Sequence, residues 1–356
     1  MHNKMKKINT VRYAVVGLNL GMEHIRAILK NPKAKLTACC DINTLKLNEI
    51  KSFLQQSDKN DRNIFFTEKY EDILNSNIVD AILIALPTNL HADFSIKALQ
   101  ADKHVFCEKP LTESLNNAFR IHEYVRKTRK IFQLGYCVRS SPFHKKCLEI
   151  INGGSIGKVT NVWWNMFVNT KNNGWRTERK YHGGKLFDCG CHYLDILTLW
   201  ANASVLRVCA FGNPLGATGP NKKDIPEIAA IIIEFGNGVK ASFLLSQHSA
   251  NCQNSTCGIV GTNGKIEGDP YYPEKAGSLS VHANDGLYKY KIIINGEMTS
   301  SGHLGFMEQH DSFINAILNG TPPACSIGDG IQILRLMHAI DKSISTGRTI
   351  YIKKRD

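Results

Sequence analysis

Val11-Arg12-Tyr13-Ala14-Val15-Val16-Gly17-Leu18-Asn19-Leu20-Gly21 is the stretch on which the fold turns. Its first half is a nearly unbroken apolar run ending in glycine, which predicts a buried strand over Val11 to Gly17. From Gly21 apolar residues recur at helical spacing through Ile25, Ile28 and Leu29 and stop near Pro32, which predicts a helix. Strand, glycine turn and helix in direct succession let backbone amides meet a pyrophosphate at the positive helix end, the way dinucleotides are held. The turn is compressed, because Asn19 stands where a second glycine is usual and Gly21 comes one position early. Asparagine tolerates left-handed geometry, but its side chain crowds the phosphate approach.

Reading outward, a second strand over Leu36 to Cys40 ends at Asp41. An acid there accepts hydrogen bonds from a ribose diol and repels a 2'-phosphate, so it favours NAD over NADP, and no arginine follows in Ile42 and Asn43; the competing reading is an Asp that caps the helix from Asn43. Strands are predicted at Ile64 to Phe66, Val79 to Leu86, from His104 and over Ile131 to Gly135. Helices over Tyr70 to Asn75, through Phe94, Ala98 and Leu99, and over Ser114 to Lys127 alternate with them. This is the order of a doubly wound parallel sheet, whose strand ends carry the ligand. At two such ends stand Pro87-Thr88-Asn89 with His91, and Glu108-Lys109-Pro110. A lysine and a glutamate at the buried end of a strand ask for a use of charge, so Lys109 is a candidate for chemistry; the plain alternative is a solvated pair in a loop.

At 356 residues, 43% hydrophobic and 21% charged, the chain has room for two domains of a globular protein. Its longest apolar stretch, Ala81 to Leu86, is far too short for a membrane span, and its lysine-bearing start lacks an apolar signal core, so a cytoplasmic setting without membrane partners is expected. Eleven cysteines are scattered without a Cys-x-x-Cys pair, so reduced thiols are the default. The net charge of +13 is spread rather than clustered, dense only at the two tips, and does not point to nucleic acid.

Beyond Gly135 the pattern changes. A helix over Pro142 to Asn152 leads into strands at Val159 to Val168, Ile228 to Phe235 and Val239 to Leu245, the last two joined across Gly236-Asn237-Gly238, a hairpin signal. Further strands are predicted at Cys257 to Glu267, Leu279 to His282 and Tyr288 to Ile294. Two amphipathic helices, Glu308 to Leu318 and Asp329 to Thr346, precede a closing strand at Thr349 to Ile352. The chemically loaded piece is Tyr181 to Asp195, in which Gly183 and Gly184 lead a predicted helix with Asp188, His192 and Asp195 on one face at i, i+4 and i+7. A solvated face, or zinc held with Cys189 or Cys191, are the competing readings; no metal is expected.

Gly17 to His24, Pro87 to His91 and Glu108-Lys109-Pro110, in this order and spacing, resemble the glucose-fructose oxidoreductase, inositol dehydrogenase and rhizopine catabolism family of NAD(P)-dependent oxidoreductases. The resemblance covers nearly the whole chain. It implies a Rossmann domain at 1–136 and, at 137–356, an α+β domain with a large, open, mainly antiparallel sheet that handles substrate and joins subunits into a homodimer or homotetramer. It implies that NAD is bound by Gly17, Leu18, Asn19, Leu20, Asp41, Leu86, Thr88, Asn89, His91, Glu108 and Lys109. It also implies that Tyr136, Arg139, Trp175, Arg176, His182, Asp188 and His192 line a substrate pocket. Asp188, three residues, then His192 matches the family's acid-and-histidine motif, which meets the Lys109 loop across the cleft. His182 replaces a usual glycine and Lys185 a small residue, so a polar pocket is expected. The reaction implied is oxidation of a secondary hydroxyl of a sugar, inositol or related polyol: His192 takes the proton, Lys109 supports the oxygen, and Asp188 orients substrate or histidine. Two rivals come from relatives: an NAD-dependent glycosidase that retains its cofactor, and a catalytically weak NAD- or sugar-sensing regulator.

Overall fold

The computed structural model describes residues 9–56, 63–169, 184–213, 226–248, 254–270, 276–293 and 305–353. The chain divides into two units, residues 1–135 with 306–330, and residues 136–305 with 331–356. The stretch 306–330, which the sequence reading grouped with the second domain, therefore clusters with the first.

In the first unit β1 (Val11–Val16), α1 (Leu18–Lys30), β2 (Ala34–Cys40), α2 (Thr44–Gln56), β3 (Phe65–Thr67), α3 (Tyr70–Leu74), β4 (Ala81–Ile84), α4 (His91–Gln100), β5 (His104–Cys107), α5 (Leu115–Thr128) and β6 (Phe132–Leu134) follow one another. The strands form a six-stranded parallel sheet in the order β3-β2-β1-β4-β5-β6. The order reverses direction between β1 and β4, the place where ligands of such sheets sit, at the carboxyl ends of the strands. All four residues of β4 are buried, as a strand covered on both faces must be. Ser114 caps α5 by accepting from the Asn117 N–H.

The second unit holds α6 (Pro142–Asn152), β7 (Val159–Phe167), α7 (Lys185–Asp188), α8 (Gly190–Ala201), β8 (Val205–Asn213), β9 (Ile228–Phe235), β10 (Lys240–Ser246), β11 (Asn254–Gly261), β12 (Gly264–Asp269), β13 (Ala276–Ala283) and β14 (Gly286–Ile293). After α9 (Phe306–Asn319) and α10 (Ile327–Thr346), the short β15 (Ile350–Tyr351) completes a nine-stranded sheet in the order β14-β13-β12-β11-β7-β10-β9-β8-β15. Every pairing is antiparallel except β7 with β10. The long strand predicted over Cys257 to Glu267 is instead a hairpin, because Thr262 and Asn263 turn the chain between β11 and β12. β8 is absent from the sequence reading; its apolar residues are too interrupted by Arg207, Gly212 and Asn213 to stand out.

Burial explains the difference between the sheets. Along β9, Ile231 and Ile233 are fully buried while Ile232 between them is 54% exposed, so the sheet has one dry face and one open face. On the dry face Trp164 of β7 stacks against Trp200 of α8 at 5.6 Å and packs on Tyr193 at 4.6 Å. In the first unit Phe313 and Ile314 of α9 join the core formed by Tyr13, Val15, Ile25, Ile28 and Phe106.

Candidate active site

The glycine turn closes as its residues require. Gly17 has φ 86°, and a Cβ there would stand 2.5 Å from the Ala85 carbonyl oxygen, so only glycine fits between the ends of β1 and β4. A Cβ on Gly21 would meet the Val15 side chain at 2.9 Å; the close helix-on-strand approach usual for the third glycine of the fingerprint is thus made one residue early. Asn19 lies exposed in the first turn of α1.

Asp41 ties the turn to the end of β2. Its Oδ2 accepts from the Leu18 N–H at 2.7 Å and its Oδ1 from the Asn43 N–H at 2.9 Å. The cap of α2 is Asn43, whose Oδ1 accepts from the Leu45 N–H at 3.0 Å. Asp41 therefore does not cap that helix itself, and each of its oxygens keeps a lone pair beyond the bond it makes.

At the end of β4, Thr88 and His91 are almost fully buried and Asn89 is exposed. The two ring nitrogens of His91 lie 2.8 Å from the carbonyl oxygens of Leu86 and Pro110. The imidazole thus bridges the loop after β4 to the carbonyl of Pro110, the residue that follows the cis Lys109–Pro110 bond. A protonated ring satisfies both carbonyls and a neutral ring only one; burial acts against the charge and holds the His91 pKa below its usual value. The sequence reading placed His91 among the cofactor contacts, whereas both its nitrogens face backbone carbonyls.

Beneath Lys109 lies a buried polar cluster. Glu108 Oε2 accepts from the Lys109 N–H at 3.1 Å, and Oε1 lies 3.0 Å from His24 Nε2. His24 Nδ1 in turn lies 2.9 Å from Nε2 of His310 on α9. Burial raises the pKa of Glu108, but the His24 hydrogen bond and the charge of Lys109 outweigh it and bring the carboxyl below its ordinary range. Gly135 leaves room for this carboxylate, since a Cβ there would stand 2.5 Å from Oε1. Neither His310 nor Gly135 was singled out from the sequence, and His24 appeared only as the end of a motif. The available signal was a histidine on the apolar face of each helix: His24 beside Ile25 and Ile28, His310 between Phe306 and Phe313.

In the second unit the helix expected over Asp188 to Asp195 is broken. Asp188 ends α7, whereas His192 and Asp195 lie in α8, which starts at Gly190 after a turn at Cys189. The stripe is thus divided between two helices at Cys189. Asp195, fully buried, forms a two-pronged ion pair with Arg139, Nε to Oδ2 and Nη2 to Oδ1, both at 2.5 Å. A buried carboxylate needs such a partner, so these edges of the guanidinium hold α8 rather than point to a substrate. His192 is 3% exposed and meets Tyr136 edge-on, ring centroids 5.6 Å apart. Trp175, Arg176, Tyr181 and His182 lie outside the described residues, as does the Lys185 side chain. Among the described residues no group of three His, Cys, Asp or Glu side chains is arranged to hold a metal, and no helix is long and apolar enough to cross a membrane.

A parallel sheet that reverses beside a glycine turn, with an acid closing the neighbouring strand, defines a dinucleotide-binding Rossmann protein. The chain belongs to the glucose-fructose oxidoreductase, inositol dehydrogenase and rhizopine catabolism family: residues 11–136 match its oxidoreductase NAD-binding Rossmann fold, and residues 148–353 its C-terminal alpha/beta domain. It is similar to the myo-inositol 2-dehydrogenase of Thermotoga maritima, 26% identical over 97% of this chain and 99% of that protein. It is also similar to the scyllo-inositol 2-dehydrogenase (NAD(+)) of Bacillus subtilis, 29% identical over 72% and 73%. The fold is that of the aldose-aldose oxidoreductase from Caulobacter crescentus, solved with glycerol, at a TM-score of 0.81, 22% identity, and coverage of 96% of this chain and 100% of that one.

Proposed function

We propose that the protein is an NAD-preferring dehydrogenase that oxidises a secondary hydroxyl of an inositol, sugar or related polyol. The observation that carries this is the carboxyl edge of the parallel sheet, where the glycine turn is locked to Asp41 and Lys109 is held by Glu108. The inositol dehydrogenases among its relatives support the substrate class. Bound nicotinamide would accept the hydride, and the chain's residues manage the proton. His192 takes the hydroxyl proton as general base, Lys109 supports the same oxygen by hydrogen bond and charge, and Asp188 orients substrate or histidine. These roles follow the family's motif residue by residue. Tyr136 is the described aromatic that packs on His192.

Preference for NAD over NADP rests on Asp41 and its neighbours. Ile42 is 88% exposed and uncharged, and Lys46, the nearest cation along the chain, is paired with Glu49 at 2.7 Å. A 2'-phosphate would meet the Asp41 carboxylate without a partner. Calorimetric titration should show NADH binding more tightly than NADPH, and equal or tighter NADPH binding overturns the preference. A panel of inositols, hexoses, sugar acids and nucleotide sugars, followed by NADH formation and product mass spectrometry, tests the reaction. Net hydrolysis without NADH would assign it to the glycosidase class instead.

A homo-oligomer joined through the open sheet face belongs to the same reading. There Phe211, Ile232 and Leu244 are 67%, 54% and 41% exposed on neighbouring strands. So does a cytoplasmic setting, which the free thiols of the described cysteines support.

A further inference from the structure

The cluster under Lys109 has a direction. The Glu108 carboxylate only accepts, so the proton between it and His24 sits on His24 Nε2. His310 is fully buried and its Nδ1 has no hydrogen-bond partner, whereas its Nε2 faces His24 Nδ1 at 2.9 Å. A buried N–H without an acceptor costs more than a buried lone pair without a donor, so the His310 proton belongs on Nε2. His310 thus donates to His24 Nδ1, which must accept, and His24 Nε2 donates to Glu108. The other tautomer of either ring sets lone pair against lone pair or N–H against N–H.

On the reading that Lys109 serves the reaction, we propose that His24 and His310 are positioning residues that hold Glu108 as an ionised carboxylate in one orientation, and that Glu108 in turn fixes the Lys109 backbone and keeps a full negative charge beside its ammonium. The arrangement parallels histidines of metal and acyl-transfer sites, whose outer hydrogen bond sets the tautomer of the ring that does the work. Here the outer partner is a second imidazole from α9. The packing leaves little slack: His310 stacks on Phe106 at 5.2 Å and 13°, His24 packs on Phe306 at 4.5 Å, and Gly135 walls the carboxylate.

Other titratable groups facing the cluster do not compete for its charge. Tyr13 of β1, its ring 6.1 Å from that of His310, stays a neutral phenol because burial raises its pKa, with Asp311 adding to the effect. Asp311 itself is exposed on α9 and accepts from Asn31. Burial holds His310 and His91 of α4 toward the neutral form and pushes the Cys107 thiol up, so it stays protonated. Within the buried cluster Glu108 is left as the anion that Lys109 meets.

Competitive acetylation of Lys109 with acetic anhydride across a pH series, read by mass spectrometry, reports the titration of the lysine without turnover. His310→Phe keeps the ring on Phe106 and removes the donor. The carboxylate keeps its charge but loses its fixed orientation, so the Lys109 midpoint is expected to fall by roughly a third of a unit and labelling near neutrality to rise about twofold. His310→Gln, whose amide can still donate to His24, is expected to return the midpoint toward that of the parent protein. A folded His310→Phe protein with the parental Lys109 profile overturns the proposal. Should that variant not fold, nitrogen-15 spectra of the parent protein decide: both rings are expected as Nε2–H tautomers, and His24 protonated on Nδ1 overturns it. A parent protein without NAD-linked polyol oxidation, in which the Lys109 shift is still seen, rejects the dehydrogenase reading and leaves this relay standing.

Discussion

Lys109 and His192 divide the proposed work by charge and by pKa. A lysine is a fixed positive charge near neutrality, suited to stabilising negative charge on the substrate oxygen, while an imidazole exchanges protons there. Lys109→Met keeps most of the length and removes the charge; turnover is expected to fall by roughly 100-fold or more with NAD binding retained, as measured by steady-state kinetics and calorimetry. His192→Asn should lose a similar factor and flatten the acidic limb of the rate profile. If the lysine variant loses that limb and the histidine variant keeps it, the roles are reversed. Gly135→Ala tests the ground under Lys109: the added methyl would stand 2.5 Å from Glu108 Oε1 and displace the carboxylate. Overpacking of this kind costs about 1–3 kcal/mol, so a lower thermal midpoint with reduced turnover is expected.

Helices α6 and α8 are joined by a histidine that must stay neutral. Trp200 of α8 donates its indole N–H to His144 Nδ1 of α6 at 3.0 Å, a bond that a protonated ring cannot accept. Burial and the charges of Arg139 and Lys145 bring the His144 pKa down to about 3, and burial with Lys130 brings His104 at the start of β5 to about 4. Both values lie below the unfolded pKa near 6.5. The unfolded chain therefore binds more protons than the folded one below that pH, and stability that is complete above about 6.5 is lost as pH falls toward the folded values. Denaturation followed from pH 7 to 4 should show the midpoint falling from just below 6.5. His144→Gln, which retains an acceptor for the indole, should make the fall shallower; an unchanged slope would count against this account.

For the molecule as a whole, the two sheets meet solvent differently. The parallel sheet is covered on both faces, whereas the nine-stranded sheet carries Phe211, Ile232 and Leu244 on its open face. Cross-strand register sets Phe211 beside Ala230 and Ala230 beside Leu244, with Ile232 in the next row, so the exposed side chains form a patch rather than scattered points. Light scattering at micromolar concentration is expected to find an oligomer, and Ile232→Lys a smaller species. A monomeric parent protein rules the proposed assembly out.

The amino-acid order alone determined the parts that depend on neighbours along the chain. Apolar runs and glycine turns marked the strands of the parallel sheet, the Gly236-Asn237-Gly238 turn marked the β9–β10 hairpin of the nine-stranded sheet, and Pro142 marked the start of α6, because period, turn chemistry and capping are local. Linked short motifs also marked Gly17, Asp41 and Lys109. Where long-range packing assigns partners, the sequence was silent. It showed Asp188, His192 and Asp195 as one stripe, but only the folded chain breaks that helix at Cys189 and gives Asp195 to Arg139, 56 residues away. It showed Asp41 with two possible uses, and the fold set its carboxylate against the Leu18 N–H. The returning helix α9 carries His310 to His24 across 286 residues, a juxtaposition that no spacing rule encodes, because hydrogen bonds over such distances are chosen by which buried groups must be satisfied together.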